Sequence, residues 1–119
     1  MRKFKFKAWS KDEKRMLINV SLLDGFPCIR ENGKLVCYGN CEIMQCTGLK
    51  DKSGREIYEG DIIVDNSGEK YVCEWGEPEA GFYLYQLSSA RTFYFCNFEE
   101  NELKIVGNIH ENPELLKEG

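Results

Sequence analysis

The chain holds a single histidine, His110, and none of its six cysteines forms a C-x2-C pair. Structural zinc sites are built from such tight pairs, with cysteine or histidine completing a tetrahedron. Cys37, Cys41 and Cys46 are spaced C-x3-C-x4-C, a poor match, and no metal or cofactor is expected. No apolar run approaches the roughly 20 residues that cross a bilayer, which argues against a membrane partner. The basic N-terminus is interrupted by Lys5 and Lys7, unlike a signal peptide. These absences lead us to expect a cytoplasmic chain with reduced thiols. Cys73 and Cys96 sit in apolar runs, where cysteine acts as a small buried hydrophobe.

Charge is uneven within a net of −4. Residues 1–15 carry seven Lys/Arg against Asp12 and Glu13, a balance of +5 that leaves −9 for the rest. A mildly acidic protein is a poor general ligand for nucleic acid, since phosphate contacts need concentrated positive charge. The basic start leaves a local site open.

Short strand-like runs separated by Gly, Asn and Asp dominate the text, with no internal repeat or low-complexity segment. In "KFKFKAW", Phe4, Phe6 and Ala8 alternate with Lys3, Lys5, Lys7 and Trp9, so each set shares a face. "RMLINV" reads as the second strand of an opening hairpin, with Met16, Ile18 and Val20 on one face. "DGFP" and "ENGK" are turn text, since Asn-Gly tolerates positive φ at both positions. Residues 20–40 are less regular and read as a mobile excursion, although "KLVCY" and "CEIMQC" are plausible short strands.

In "KDKSGREIYEGDIIV", Gly54 suits a left-handed turn position and Gly60 a bend. Asp61 can accept a backbone N–H in that bend, and Ile62 to Val64 enter a sheet. Gly-Lys-Ser/Thr and a following helix are both missing, so this is no phosphate cradle. Acidic ligands at alternate positions are missing too, so it is no calcium loop. "KYVCEW", "FYLYQL", "TFYFCNF" and "LKIVGNI" continue as strands, suggesting a small barrel or sandwich. "ENPELL" predicts a terminal helical turn, with Asn112 as its cap and Pro113 at its first position.

Read together, "KFKAW", "MQCTGLKDKSGREIYEGDII", "CEWGEPEAGFYL" and "VGNIHENPELL" resemble the YopX protein family, small proteins of bacteriophages and prophages. Order and spacing match over nearly the whole chain. The resemblance implies a mainly β fold with a C-terminal part similar to an SH3-like barrel. It brings no catalytic residues. The family usually has an acid at Ser10 and tyrosine at Cys46 and His110. That difference implies that Cys46 and His110 are replacements of an aromatic and not a shared Cys–His pair.

The expected architecture is an N-terminal β-hairpin region over 1–44 and an SH3-like barrel with a helical turn over 45–119. Glu56, Glu59, Asp61, Glu74, Glu77 and Glu79 could converge on a rim, but they lie in turn text, where carboxylates are usually solvated. No complete catalytic motif is visible, so we expect no enzyme. Phe82, Tyr83, Tyr85, Phe93, Tyr94, Phe95 and Phe98 crowd two adjacent strands. One alternating set must be core, and the other would leave tyrosines outside, where they serve as anchors or are covered by another layer. The expected role is therefore a binding module that contacts a host or phage protein through Trp75, Tyr83, Tyr85 and Tyr94, with self-association through the same face plausible. The alternative is nucleic-acid binding through Lys3, Lys5, Lys7 and Trp9, against the plainer reading of an edge strand guarded by lysines.

Overall fold

The computed structural model describes residues 5–76, 81–99 and 101–117. The protein is mainly β, with two antiparallel sheets and 3-10 turns toward its C-terminus. The chain divides into a unit of residues 1–46 and a unit of residues 47–119.

In the first unit, β1 (Phe6–Ser10) and β2 (Arg15–Leu23) form the expected hairpin. Two further hairpins follow. β2 turns into β3 (Phe26–Glu31) through Asp24-Gly25, and β3 turns into β4 (Lys34–Cys37) through Asn32-Gly33. All four turn residues have positive φ, the backbone that matches the twist of a two-residue hairpin. Residues 20–40 are thus strand text folded on itself, not a mobile excursion. The order is β4-β3-β2-β1, with β5 (Cys41–Lys50) on the other side of β1. β1 is therefore an interior strand, paired with both β2 and β5. Lys7, the one lysine within β1, does not guard an edge, and the edge on the β2 side belongs to the four-residue β4.

The inward face is set by a bulge. Val20 pairs with Phe6 and Leu17 with Ala8, so Ile18 and Asn19 together stand opposite Lys7. Asn19 takes a left-handed φ of 55° there. The extra residue shifts the alternation. Leu17 and Val20 join Ala8 in the core, with Phe6, Ile29, Tyr38 and Ile43 packed against them. Met16, Ile18 and Val20 accordingly do not share a face. Phe4 lies outside the described residues.

The second unit takes up the last residues of β5 and adds β6 (Glu56–Tyr58), β7 (Asp61–Val64), β8 (Lys70–Gly76), β9 (Gly81–Gln86), β10 (Thr92–Phe93) and β11 (Lys104–Asn108). Its five-stranded sheet runs β10-β9-β8-β7-β11. The expected barrel does not close: β10 and β11 are the two ends of this order. β10 stops after two residues because the chain winds into a 3-10 turn at Phe95–Asn97, where "TFYFCNF" had suggested a full strand. Ile57, Ile63, Tyr71, Cys73, Leu84, Leu103 and Ile105 form the core, flanked by Phe82, Phe93, Phe95 and Phe98. Tyr71 meets Phe93 and Phe98 edge-on at 5.8 and 5.4 Å, geometry that favours the ring quadrupoles. Cys73 is buried here as expected, whereas Cys96 lies exposed on the 3-10 turn.

The bend at Gly60 behaves as anticipated. Gly60 has φ 88°, and Asp61 Oδ2 accepts the Tyr58 N–H at 2.7 Å. Unlike a solvated turn acid, Asp61 is buried. The C-terminal turn, Pro113–Leu116, is also present with Asn112 at its cap position, but the Asn112 side chain makes no capping bond. Asn112 Oδ1 instead accepts the N–H of Asn108 at 3.2 Å, turned back toward the end of β11.

Candidate binding surfaces

The ladder between β8 and β9 sorts the predicted aromatic anchors. Cys73 stands opposite Leu84 and Tyr71 opposite Gln86, on the face that builds the core. Trp75 and Phe82 are the next pair on that face and stack edge to face at 4.9 Å. Tyr83 and Tyr85 stand opposite Glu74 and Val72 on the other face. Tyr94 follows Phe93, which pairs with Leu84, so alternation sends Tyr94 to the side of Tyr83 and Tyr85. Trp75 is therefore separated from the three tyrosines by the thickness of the sheet.

The tyrosine face is not open along its length. Ile62 and Val72 share it and are buried. Tyr83 and Tyr85 are half-buried, and the Tyr83 hydroxyl donates to Glu74 Oε2 at 2.7 Å. Glu74 is thus the partner of a tyrosine, not a member of an acidic rim. Glu77 and Glu79 lie outside the described residues. Tyr94 and Trp75 are exposed, on opposite sides.

Of the predicted nucleic-acid set, Lys3 lies outside the described residues. Lys5 is exposed, and Lys7 and Trp9 are half-buried. Trp9 stands opposite Met16, which turns this set toward the outer face of the first sheet.

That outer face is what sequence reasoning missed. Ile18 faces outward by alternation with Leu17, and the bulge together with the register of the two following hairpins sends Leu23, Phe26, Arg30 and Leu35 to the same side. Ile18, Leu23, Phe26 and Leu35 are 58, 46, 54 and 48% exposed. Four large apolar side chains exposed on one face of a small sheet are the kind of surface that marks an interaction site. The available signal was the pair of turns Asp24-Gly25 and Asn32-Gly33, which fix the register of every residue between them.

Cys28 and Cys37 stand directly opposite each other on β3 and β4 and are joined by a disulfide, with their Cα atoms 4.0 Å apart. This corrects the expectation of reduced thiols for that pair. It also removes Cys37 from the C-x3-C-x4-C trio. The Asn32-Gly33 turn is the cause, since it brings two cysteines nine residues apart into register. Among the described residues, no three Cys, His, Asp or Glu side chains are grouped to hold a metal. No helix among them is long and apolar enough to cross a membrane.

A polar cluster joins Arg15 and Glu31 to Tyr38 on the face opposite Ile18 and Arg30, where Tyr38 packs against the core. Arg15 donates to Glu13 Oε1 at 2.9 Å and to Glu31 Oε1 at 3.2 Å, and lies over the Tyr38 ring, 5.5 Å from its centroid. The Tyr38 hydroxyl donates to Glu31. That bond, reinforced by Arg15, holds the Glu31 carboxyl below the usual range, and the same bond with burial pushes the Tyr38 phenol up against the opposing charge of Arg15.

Compared with known proteins, the chain matches the family model described as YopX protein over residues 5–117. None of the curated proteins matches it. Protein EF1440 from Enterococcus faecalis has a similar crystal structure, with 28% identity and a TM-score of 0.72, covering 98% of this chain and 100% of that one. Protein yopX from Bacillus subtilis shares the fold at 18% identity and a TM-score of 0.62, covering 95% of this chain and 98% of that one.

Proposed function

The chain belongs to the YopX protein family, and from that premise we propose that it is a non-enzymatic module that binds another protein through the outer face of β2, β3 and β4. The observation that carries this reading is the exposure of Ile18, Leu23, Phe26 and Leu35 on one side of one sheet. Covering a large apolar side chain stabilises a complex by about 1.5–3 kcal/mol, and a few such anchors dominate a typical interface. The expected partner is a host or phage protein met in the cytoplasm. The three tyrosines of the second unit are a weaker surface, because Ile62 and Val72 on their face are already covered.

Affinity capture from host lysate tests the proposal, with wild type compared against Ile18→Asp/Leu35→Asp and Tyr83→Ala/Tyr85→Ala. Loss of a captured protein in the first variant alone supports the outer face of β2, β3 and β4. Loss in the tyrosine variant alone would move the site to β8 and β9. No captured protein, or one unaffected by either variant, would remove the reading.

A further inference from the structure

Resting on that reading, we infer that the groove between β2 and β3 takes an extended polypeptide segment carrying a carboxylate, with Arg30 as its charged anchor. The shape comes from an interrupted ladder. β2 and β3 pair only through Ser21, Leu22 and Leu23 against Cys28, Pro27 and Phe26. Beyond the bulge at Asn19, the rest of β2 has no register with β3. The two strands instead wall an open groove of about 680 Å³, lined by Met16, Ile18, Leu23, Ile29, Arg30 and Leu35 among others. A gap walled by two strands suits a third, since added strands bring main-chain hydrogen bonds and place alternate side chains into side pockets.

The groove's chemistry selects the occupant. Its only charged lining residues are Arg15 and Arg30. Arg15 is engaged by Glu13 and Glu31. Arg30 is exposed and has no ion partner among the described residues. A guanidinium presents a planar fork of donors that fits a carboxylate in two bonds. The surrounding field agrees, because the described residues 5–46 hold seven Lys/Arg against five Asp/Glu, a balance of +2. A cationic segment would meet repulsion there, and like charges at an interface are an effective means of rejection. The apolar lining favours a polypeptide with alternating apolar side chains over a nucleic acid, whose backbone would require several cations.

Fluorescence anisotropy with labelled synthetic peptides tests the inference. The peptides are extended Val, Thr and Leu sequences, identical except for a central Glu or a central Lys. The Glu peptide is expected to bind the full chain and the Lys peptide to bind at least about fivefold more weakly. Arg30→Ala should weaken the Glu peptide about fivefold to tenfold, Arg30→Lys should restore part of it, and Arg30→Glu should invert the preference. Arg30 is exposed, so these variants keep the fold, which unchanged thermal melting verifies. If Ile18→Asp/Leu35→Asp abolishes binding while the Arg30 variants change nothing, the binding face stands and the acidic-segment inference falls. If neither variant changes binding, both fall. Salt-sensitive binding of a single-stranded oligonucleotide that Arg30→Ala removes would overturn the polypeptide assignment. Self-association abolished by Arg30→Glu would place a second copy in the groove and overturn a separate partner.

Discussion

The carboxylate of Asp51 accepts the backbone N–H of Ile105 at 2.9 Å, across 54 residues of sequence. That bond uses Oδ2. Oδ1 accepts the N–H and hydroxyl of Ser53 and the N–H of Arg55, at 2.8–2.9 Å. Asp51 thus closes its own loop with one oxygen and ties that loop to β11 with the other. Asp65 repeats the arrangement: its Oδ1 accepts the N–H and hydroxyl of Ser67 and the N–H of Glu69, and its Oδ2 accepts the Tyr71 hydroxyl. "DKSGR" and "DNSGE" are the same loop used twice, with Gly54 and Gly68 at φ 88° and 91°. Each glycine N–H donates to the aspartate carbonyl, and each aspartate N–H donates to the residue after the glycine.

Asp51→Ala is expected to destabilise the protein by about 3 kcal/mol, because it leaves the buried Ile105 N–H without an acceptor and opens the loop bonds to Ser53 and Arg55. Asp51→Asn keeps one oxygen and should cost about half as much. Burial pushes the Asp51 carboxyl up, but bonds from Ile105, Ser53 and Arg55 outweigh it and hold the carboxyl below its ordinary value of 3.8. Because the folded value is depressed, this stabilisation is complete above the ordinary value. It is lost as pH falls through the lower folded one. Urea titrations from pH 7 down to about pH 2 should show wild type losing stability at the acid end, and Asp51→Ala losing less.

Tyr71 offers the opposite sign. Its burial, and then its bond to Asp65, push its phenol up to about 12. The contribution is therefore full below the ordinary value of 10.0 and lost as pH rises through about 12. Absorbance titration of tyrosinate should show a late ionisation, well above the ordinary value, that belongs to Tyr71. Tyr71→Phe should remove that late step and cost about 1–2 kcal/mol at neutral pH, the loss of the bond to Asp65 Oδ2 and of the longer one from Gln86 Nε2 in an otherwise unchanged ring packing.

Much of this fold was legible because its signals are local. Asn32-Gly33 reads as a turn from the two residues alone, and Gly60-Asp61 reads as a bend closed by its own carboxylate. Cys73 was placed in the core by its apolar neighbours. What failed depended on partners far along the chain. The interior position of β1 follows from its pairing with β5, which no alternation within "KFKFKAW" reveals. The bulge at Asn19 reverses the alternation after Ile18, so that Val20 turns inward and Leu23 outward, and this sets the docking face. The separation of Trp75 from Tyr83 follows from the register of β8 against β9. The barrel failed to close because "TFYFCNF", strand-like by composition, winds into a 3-10 turn held by Asn97 Oδ1 accepting the Tyr94 N–H. The double use of the Asp-x-Ser-Gly loop was visible as text, but short matches carry weight only once their hydrogen bonds are seen.

The cysteines give a prediction read by mass spectrometry. Under native, non-reducing conditions an alkylating reagent should label exposed Cys96 first and the half-buried Cys41 more slowly. Burial, followed by the charges of Asp12 and Glu13, pushes the Cys41 thiol up and slows it further. Cys46 and Cys73 should resist until the protein unfolds. Cys28 and Cys37 should remain unlabelled until a reductant is added. Removing the bridge with Cys37→Ser should cost about 2–3 kcal/mol, the value expected for releasing a short closed loop. The loss should fall on the β3–β4 hairpin, seen as faster amide exchange there. Labelling of Cys28 and Cys37 in freshly isolated, unreduced protein would show the pair reduced in the cell.

Gly107 and Asn112 provide a coupled pair. A Cβ at Gly107 would lie 2.6 Å from Asn112 Oδ1 and 2.8 Å from its Cγ. Those contacts are too close for the side chain to stay, yet Asn112 Oδ1 accepts the Asn108 N–H, so moving it breaks that bond. Gly107→Ala is expected to cost about 1–3 kcal/mol. Asn112→Ala alone loses the hydrogen bond, about 1 kcal/mol. In the double variant the clash is eased, because the two atoms that the new methyl would meet most closely have been removed and only the residue 112 Cβ, at 3.0 Å, remains close. The double variant should therefore be more stable than the sum of the two losses, with a coupling of about 1 kcal/mol measured by denaturant titration. Strict additivity would mean that Asn112 does not occupy the space above Gly107 in solution, and the glycine would then owe its place to something other than this contact.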